Sequence, residues 1–256
     1  MEQTYIAGFK ALRSLLRMAS SGESQQLIET PWGSLIPKVD LFPLRFLLIY
    51  YGVVYFLPFG IFGWLLNEDG VAEWCQFLFY AGAFVFSLLV LWRRRGDLAE
   101  GLRSRAAWQW LGWLLLALLF FFVAGEEISW GERITHHGLE WIRQINTQEE
   151  TNIHNIKPLQ KAGLLHSPFI FLGLLGGWVG WRYFNNWSFV PARWLSLYFL
   201  PVALFYAYFD LSKLTQGTRI RNDQELFEFL FALGCWLHTR AAARRARRST
   251  LDGAPA

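Results

Sequence analysis

The sequence predicts an all-α protein: a polytopic membrane helix bundle of about six transmembrane helices, preceded by an N-terminal interfacial amphipathic helix. Three observations predict it. Of the 256 residues, 54% are hydrophobic and 18% aromatic. Only 17% are charged, against roughly 25% in soluble domains, which leaves too few polar side chains to cover a soluble surface. The apolar residues also fall in long runs, and the mean hydropathy is +0.23.

In chain order, residues 1–40 lack the apolar core and small-residue cleavage site of a secretory signal. Tyr5, Phe9, Leu12 and Leu16 recur at helical spacing on one face and Lys10, Arg13 and Arg17 line another. That is the pattern of a basic helix lying on an anionic surface, and a polar linker follows from Ser20 to Lys38. Residues 41–238 then carry six apolar stretches near the length that crosses a ~30 Å hydrocarbon core. They are Leu44 to Leu66, Val71 to Trp92, Trp108 to Trp130, Leu164 to Tyr183, Phe189 to Phe209 and the shorter Glu225 to His238. A polar loop, 131–163, joins the third to the fourth. Gly173, Gly176, Gly177 and Gly180 form a small-residue face on the fourth, which lets a neighbouring helix of this chain, a protein partner or a second copy approach closely. Residues 239–256 are a basic tail.

Seventeen of the 24 Lys and Arg residues fall on one side of this topology, which places both termini in the cytoplasm by the bias of basic loops. Thirteen of the 20 acids fall on the other side. The formal charge of +4 resides in the tail, where Arg240, Arg244, Arg245, Arg247 and Arg248 face only Asp252. Beside an apolar span, that tail fits membrane lipids of the anionic inner leaflet and not nucleic acid. Cys75 and Cys235 lie in or beside apolar segments without a CxxC pattern and read as packing residues.

The chemistry-bearing residues concentrate on the acidic side. Glu126 and Glu127 stand consecutively at the end of the third span, where charge is expensive and marks function. A continuing helix would set Glu126, Trp130 and Arg133 on one stripe and turn Glu127 about 100° away. Downstream, Glu150 and His154 at i and i+4 would share a helical face, a spacing suited to two ligands of one metal. Glu225 and Glu228 project together at the start of the last span, with Asp210 ending the span before. Glu127, Glu150, His154 and Glu228 therefore make a candidate ligand set for a divalent metal ion. His136 and His137 read as a solvated turn and His238 as a packed residue. Ser129 has no histidine at a fixed spacing, and neither a phosphate loop, HExxH nor GxSxG occurs.

The segments Gly125-Glu126-Glu127-Ile128-Ser129-Trp130-Gly131-Glu132-Arg133 and Gln148-Glu149-Glu150-Thr151-Asn152-Ile153-His154-Asn155 resemble those of a group of uncharacterised bacterial multi-span membrane proteins, which carry GEEISWGQR-like and QGETNLHN-like runs. Glu132 and Glu149 stand where that group has Gln and Gly. The resemblance implies a bacterial cytoplasmic membrane and one shared site for both segments. Glutamate-dependent intramembrane proteases of the CAAX-processing type carry EExxxR, whereas five residues separate Glu127 from Arg133 here and no later span offers FxxxH or HxxxN/D. Two functions are expected from these residues. One is a membrane-embedded hydrolase or transferase acting on a lipid, lipid-linked or peptide substrate. There Glu127 is general base or ligand, Glu126 orients it, Glu150 and His154 are ligands or proton carriers, Glu228 is a supporting acid and Arg133 neutralises developing charge. The other is a non-enzymatic assembly factor or binding module in which the same acids and Arg133 form a structural network.

Overall fold

A computed structural model describes residues 28–29, 35–36, 39–66, 70–101, 104–147, 149–153, 156, 166–212 and 218–252. The chain divides into two units, Met1–Lys38 and Val39–Ala256. In the first, Ile28–Glu29 pairs antiparallel with Leu35–Ile36. The predicted interfacial helix with Tyr5, Phe9, Leu12 and Leu16 lies outside the described residues.

The second unit is helical. Helix α1 (Phe42–Gly52) is followed by a 3-10 turn (Val54–Phe56) and α2 (Phe59–Leu66). The first predicted span is therefore two helices and not one. Leu57 is extended, with ψ 154°, as the residue before a proline must be to clear the ring of Pro58. Asp40 pins the start of α1: its carboxylate accepts the Phe42 amide at 2.9 Å and the Tyr198 hydroxyl at 2.7 Å, and its own amide donates to the Trp194 carbonyl at 2.9 Å.

Helix α3 (Val71–Arg93) is the axis of the bundle, and α4 (Arg105–Glu127) returns antiparallel to it. Ser104 opens α4 by accepting the Ala107 amide at 3.1 Å, which satisfies one of the unpaired donors of a helix start. Two one-turn helices, α5 (Glu132–Thr135) and α6 (Glu140–Arg143), sit in the polar loop. Helix α7 (Ser167–Leu174) passes through a π turn (Leu175–Val179) into α8 (Gly180–Tyr183). Helices α9 (Ser196–Ser212) and α10 (Thr218–Asp252) complete the unit. The small-residue face is occupied within the chain. A Cβ on Gly173 would meet Ala203 at 2.9 Å and one on Gly177 would meet the Leu200 backbone at 2.7 Å, so α9 fills the surface that could have taken a second copy.

Helix α10 runs beside α3 in the same direction. Gln76 Nε2 donates to the Glu225 carbonyl at 3.1 Å, and Arg93 Nη1 donates to the Ala243 carbonyl at 2.5 Å. The stretch between these marks is about 27 Å long at 1.5 Å per residue. The helix is thus longer than the predicted sixth span, and its tail continues it as helix to Asp252.

The distribution of polarity is inverted relative to a soluble domain. Leu48, Phe56, Trp64, Leu115 and Phe171 are each at least 66% exposed, while Glu73, Gln76, Glu126, Asp223 and His238 are buried. Two stretches, Phe59–Arg93 and Arg105–Glu127, are long and apolar enough to cross a membrane, and the shorter Phe42–Phe56 is also apolar.

Candidate functional site

Helix α4 delivers Glu126 and Glu127 to the acidic end of the bundle and stops there, because the backbone then turns left-handed over three consecutive residues. Ser129, Trp130 and Gly131 have φ of 47°, 53° and 92°. Such a conformation costs about 1–2 kcal/mol at each non-glycine residue, so the surroundings must hold it. The predicted stripe of Glu126, Trp130 and Arg133 on a continuing helix is accordingly not formed. Trp130 instead folds back over Gly125, whose missing side chain leaves room for the indole, and packs edge-on against Phe121 and Phe122.

Glu126 is buried and fully engaged. One oxygen accepts Trp130 Nε1 at 2.5 Å and the other accepts the Ile153 amide at 2.7 Å. Glu150 is engaged likewise, accepting Ser129 Oγ at 2.7 Å and Asn152 Nδ2 at 2.7 Å. Arg133 bridges Glu73 at 2.6 Å and Glu150 at 3.4 Å. Asn146 Nδ2 donates to the carbonyl and side chain of Asn152 at 2.9 and 2.8 Å, and Glu132 accepts the Thr151 amide at 2.6 Å. Together these bonds lock the 146–153 segment to the end of α4 and to α3. We refer to them as the clamp.

The helix expected to align Glu150 with His154 does not form. None of the described residues from 146 to 153 is helical, and Glu149 is itself left-handed at φ 59°. His154 lies outside the described residues. The metal set drawn from the sequence is also divided: Glu150 turns into the clamp, whereas Glu127 and Glu228 belong to a second cluster. Among the described residues no group of three His, Cys, Asp or Glu side chains is disposed to hold a metal ion.

The second cluster is built by three helices. Glu127 closes α4, and the charges that act on it are Glu228, Glu225 and Glu73, with Arg133 opposing. Glu228 accepts the Tyr206 hydroxyl. Glu225 accepts Gln76 Nε2 at 3.0 Å. Among the described residues Glu127 has no hydrogen-bond or ion-pair partner, and it is half-buried. Beside this cluster His166 bonds Asp210 through Nδ1, and its Nε2 lies 3.3 Å from the amide nitrogen of Gln224, so a proton on Nδ1 lets the ring donate to one and accept from the other.

Sequence reasoning thus missed Glu73, Gln76 and Tyr206, and gave Ser129 no role; the 146–155 run could equally be read from sequence as a loop whose Asn side chains satisfy backbone groups, as Asn146 does at the Asn152 carbonyl. Glu73 and Gln76 had a signal, two polar side chains at i and i+3 inside an apolar run, where ionisable residues mark a site or its partner. No protein-family model, curated protein or solved structure matches the chain.

Proposed function

We propose that the chain is a bacterial inner-membrane protein that crosses the bilayer six times with both termini in the cytoplasm. Its acidic end would then be an exoplasmic site at which Glu127 works as an acid–base carboxylate, in a membrane-embedded hydrolase or transferase acting on a lipid, lipid-linked or peptide substrate. Several features support the topology. Large apolar side chains cover the exterior of the bundle, which suits lipid and not water. Exposed tryptophans sit at both ends, Trp64, Trp74 and Trp141 near the acidic end and Trp92 and Trp108 near the basic end, as expected at the two interfaces. Helix α10 keeps company with α3 over about 27 Å, close to the hydrocarbon thickness.

The observation that carries the chemical reading is the contrast between neighbours. Glu126 spends both oxygens on the clamp, whereas Glu127 is left without a partner on a helix end that the clamp immobilises. A carboxylate held rigidly and kept free of internal bonds is placed to take a proton from a substrate group. Glu228, bonded to Tyr206, is the nearby acid that can return one. The test is complementation of a deletion strain by Glu127→Gln. The variant should accumulate normally and fail to complement, and full complementation would refute the role.

A second reading, a non-enzymatic assembly factor or binding module, is favoured by the same clamp. Glu126, Arg133 and Glu150, three groups first assigned to chemistry, make bonds inside the chain that hold residues 149–153 of the polar loop in a defined pose.

A further inference from the structure

We infer that the Glu127 cluster binds a protonated primary amine, its N–H donors directed at Glu127, Gln76 Oε1 and the Tyr80 hydroxyl. The inference rests on Glu127 being the working carboxylate and adds the chemical class of what it meets.

The cluster has a rim and a floor. Glu127, Glu225 and Glu228 form the rim and are half-buried, hence reachable. Gln76 and Tyr80, one turn apart on α3, form the floor at 0% and 2% exposure. Gln76 commits its nitrogen to the backbone and carboxylate of Glu225, and this leaves Oε1 buried with no donor. Tyr80 has Glu127 and Glu228 as charged neighbours, and its hydroxyl has no hydrogen-bond partner among the described residues. A buried polar atom without a partner is uncommon and calls for an explanation. Gln76 Oε1 and the Glu127 carboxylate can only accept and the Tyr80 hydroxyl can accept, so one donor group would serve all three; the other buried atom with no hydrogen bond among the described residues, Arg133 Nε, is a donor that these oxygens leave unused.

Charge gives the same answer. The described charges that act on Glu127 are three carboxylates, Glu228, Glu225 and Glu73, and one opposing guanidinium, Arg133. A carboxylate without a partner in such a field favours a cation or a proton beside it. A metal ion requires several ligands within about 2.0–2.6 Å of one point, and among the described residues no group of three His, Cys, Asp or Glu side chains could supply them. An ammonium group radiates three N–H donors to oxygens about 2.7–3.0 Å away, which suits an amide and a hydroxyl oxygen on α3 together with a carboxylate on α4. The Tyr80 ring, stacked on Phe120 at 6.4 Å, adds an aromatic wall of the kind that attracts cations.

The test uses the full chain purified in detergent and follows thermal unfolding with ethylammonium as the probe. Sodium and tetramethylammonium serve as controls that carry charge without N–H donors. Ethylammonium should raise the midpoint with a saturable dose dependence and neither control should match it. Glu127→Gln and Tyr80→Phe conserve volume, and each should fold with a near-parental midpoint in the absence of probe. Loss of one charge-assisted bond should weaken ethylammonium by roughly tenfold or more in Glu127→Gln. Equal stabilisation by tetramethylammonium or sodium, no effect of ethylammonium, or unchanged affinity in both variants would overturn the inference. Nanodiscs separate the sources of the amine. Enrichment of phosphatidylethanolamine over phosphatidylcholine around the parent but not Glu127→Gln would assign a lipid headgroup, and ethylammonium binding without that enrichment would assign a soluble amine. If ethylammonium fails while Glu127→Gln still abolishes complementation, the amine falls and the working carboxylate stands. If ethylammonium binds while Glu127→Gln complements fully, the site stands as a binding site and the catalytic reading falls.

Discussion

Replacing Glu126 with Ala tests whether the clamp holds the polar loop. The carboxylate is 5% exposed and accepts two bonds, from Trp130 Nε1 and from the Ile153 amide. A hydrogen bond to a charged group contributes about 1.5–3 kcal/mol, so the pair is worth about 3–6 kcal/mol before any relaxation. The left-handed turn at Ser129 and Trp130 stores about 1–2 kcal/mol per residue against it, which the lost bonds no longer offset. The segment around Ile153 should therefore open locally before the bundle melts. At the lower bound of about 3 kcal/mol, the opening equilibrium of the Ile153 amide shifts by roughly 150-fold. Hydrogen exchange resolved to the 146–153 peptide should show that loss of protection, while peptides from the middle of α3 and α4 stay protected. Unchanged exchange at Ile153 in Glu126→Ala would refute the idea that this carboxylate anchors the loop.

Glu73→Ala should reduce accumulation sharply, because it removes the 2.6 Å partner of Arg133, whose contact with Glu150 is longer at 3.4 Å; breaking such a buried pair costs about 3–5 kcal/mol. Adding Arg133→Leu should restore part of the loss, as measured by the midpoint in detergent, and a double variant no better than the single would contradict the pairing. Gly177→Ala places a methyl against the Leu200 backbone and should destabilise by about 1–3 kcal/mol with no change in oligomeric state on size-exclusion chromatography; a change in oligomer size with an unchanged midpoint would mean the face serves another chain. For the topology, cysteines introduced at exposed Thr147 and Gly96 in a background lacking Cys75 and Cys235 should react oppositely with an impermeant maleimide in cells with a permeable outer membrane. Thr147→Cys should label and Gly96→Cys should not, and the reverse result would invert the orientation.

Helicity, the acidic concentration and the divergence of Glu126 from Glu127 were legible from periodicity alone. Adjacent residues on a helix point about 100° apart, and in the structure the two carboxylates serve different clusters. The break at Leu57-Pro58 was also readable, since proline restricts the residue before it, although apolar content masked it. The turn at Ser129 and Trp130 was not legible. Neither residue type favours positive φ, and what stabilises it is an indole bond to Glu126 and contacts with Phe121 and Phe122. The fate of Glu150 was hidden for the same reason: a helical i, i+4 rule says nothing about a segment whose conformation is set by partners around 20 residues away, Ser129 and Arg133.

The parallel pairing of α3 with α10 bears on how the molecule is made. Gln76 meets Glu225 across 149 residues of chain, and Arg93 meets Ala243 across 150. At about 5–20 residues per second, a ribosome needs roughly 7–30 s to supply the second helix after the first has emerged. For a chain inserted as it is synthesised, the amide of Gln76 stands unmatched in α3 throughout that interval, and Glu73 waits for Arg133 over the earlier part of it. The bundle's axis is therefore its least self-sufficient segment during biogenesis. Its residence beside an insertase, and the exposure of a stalled chain to membrane proteases, would be set by how soon α10 arrives.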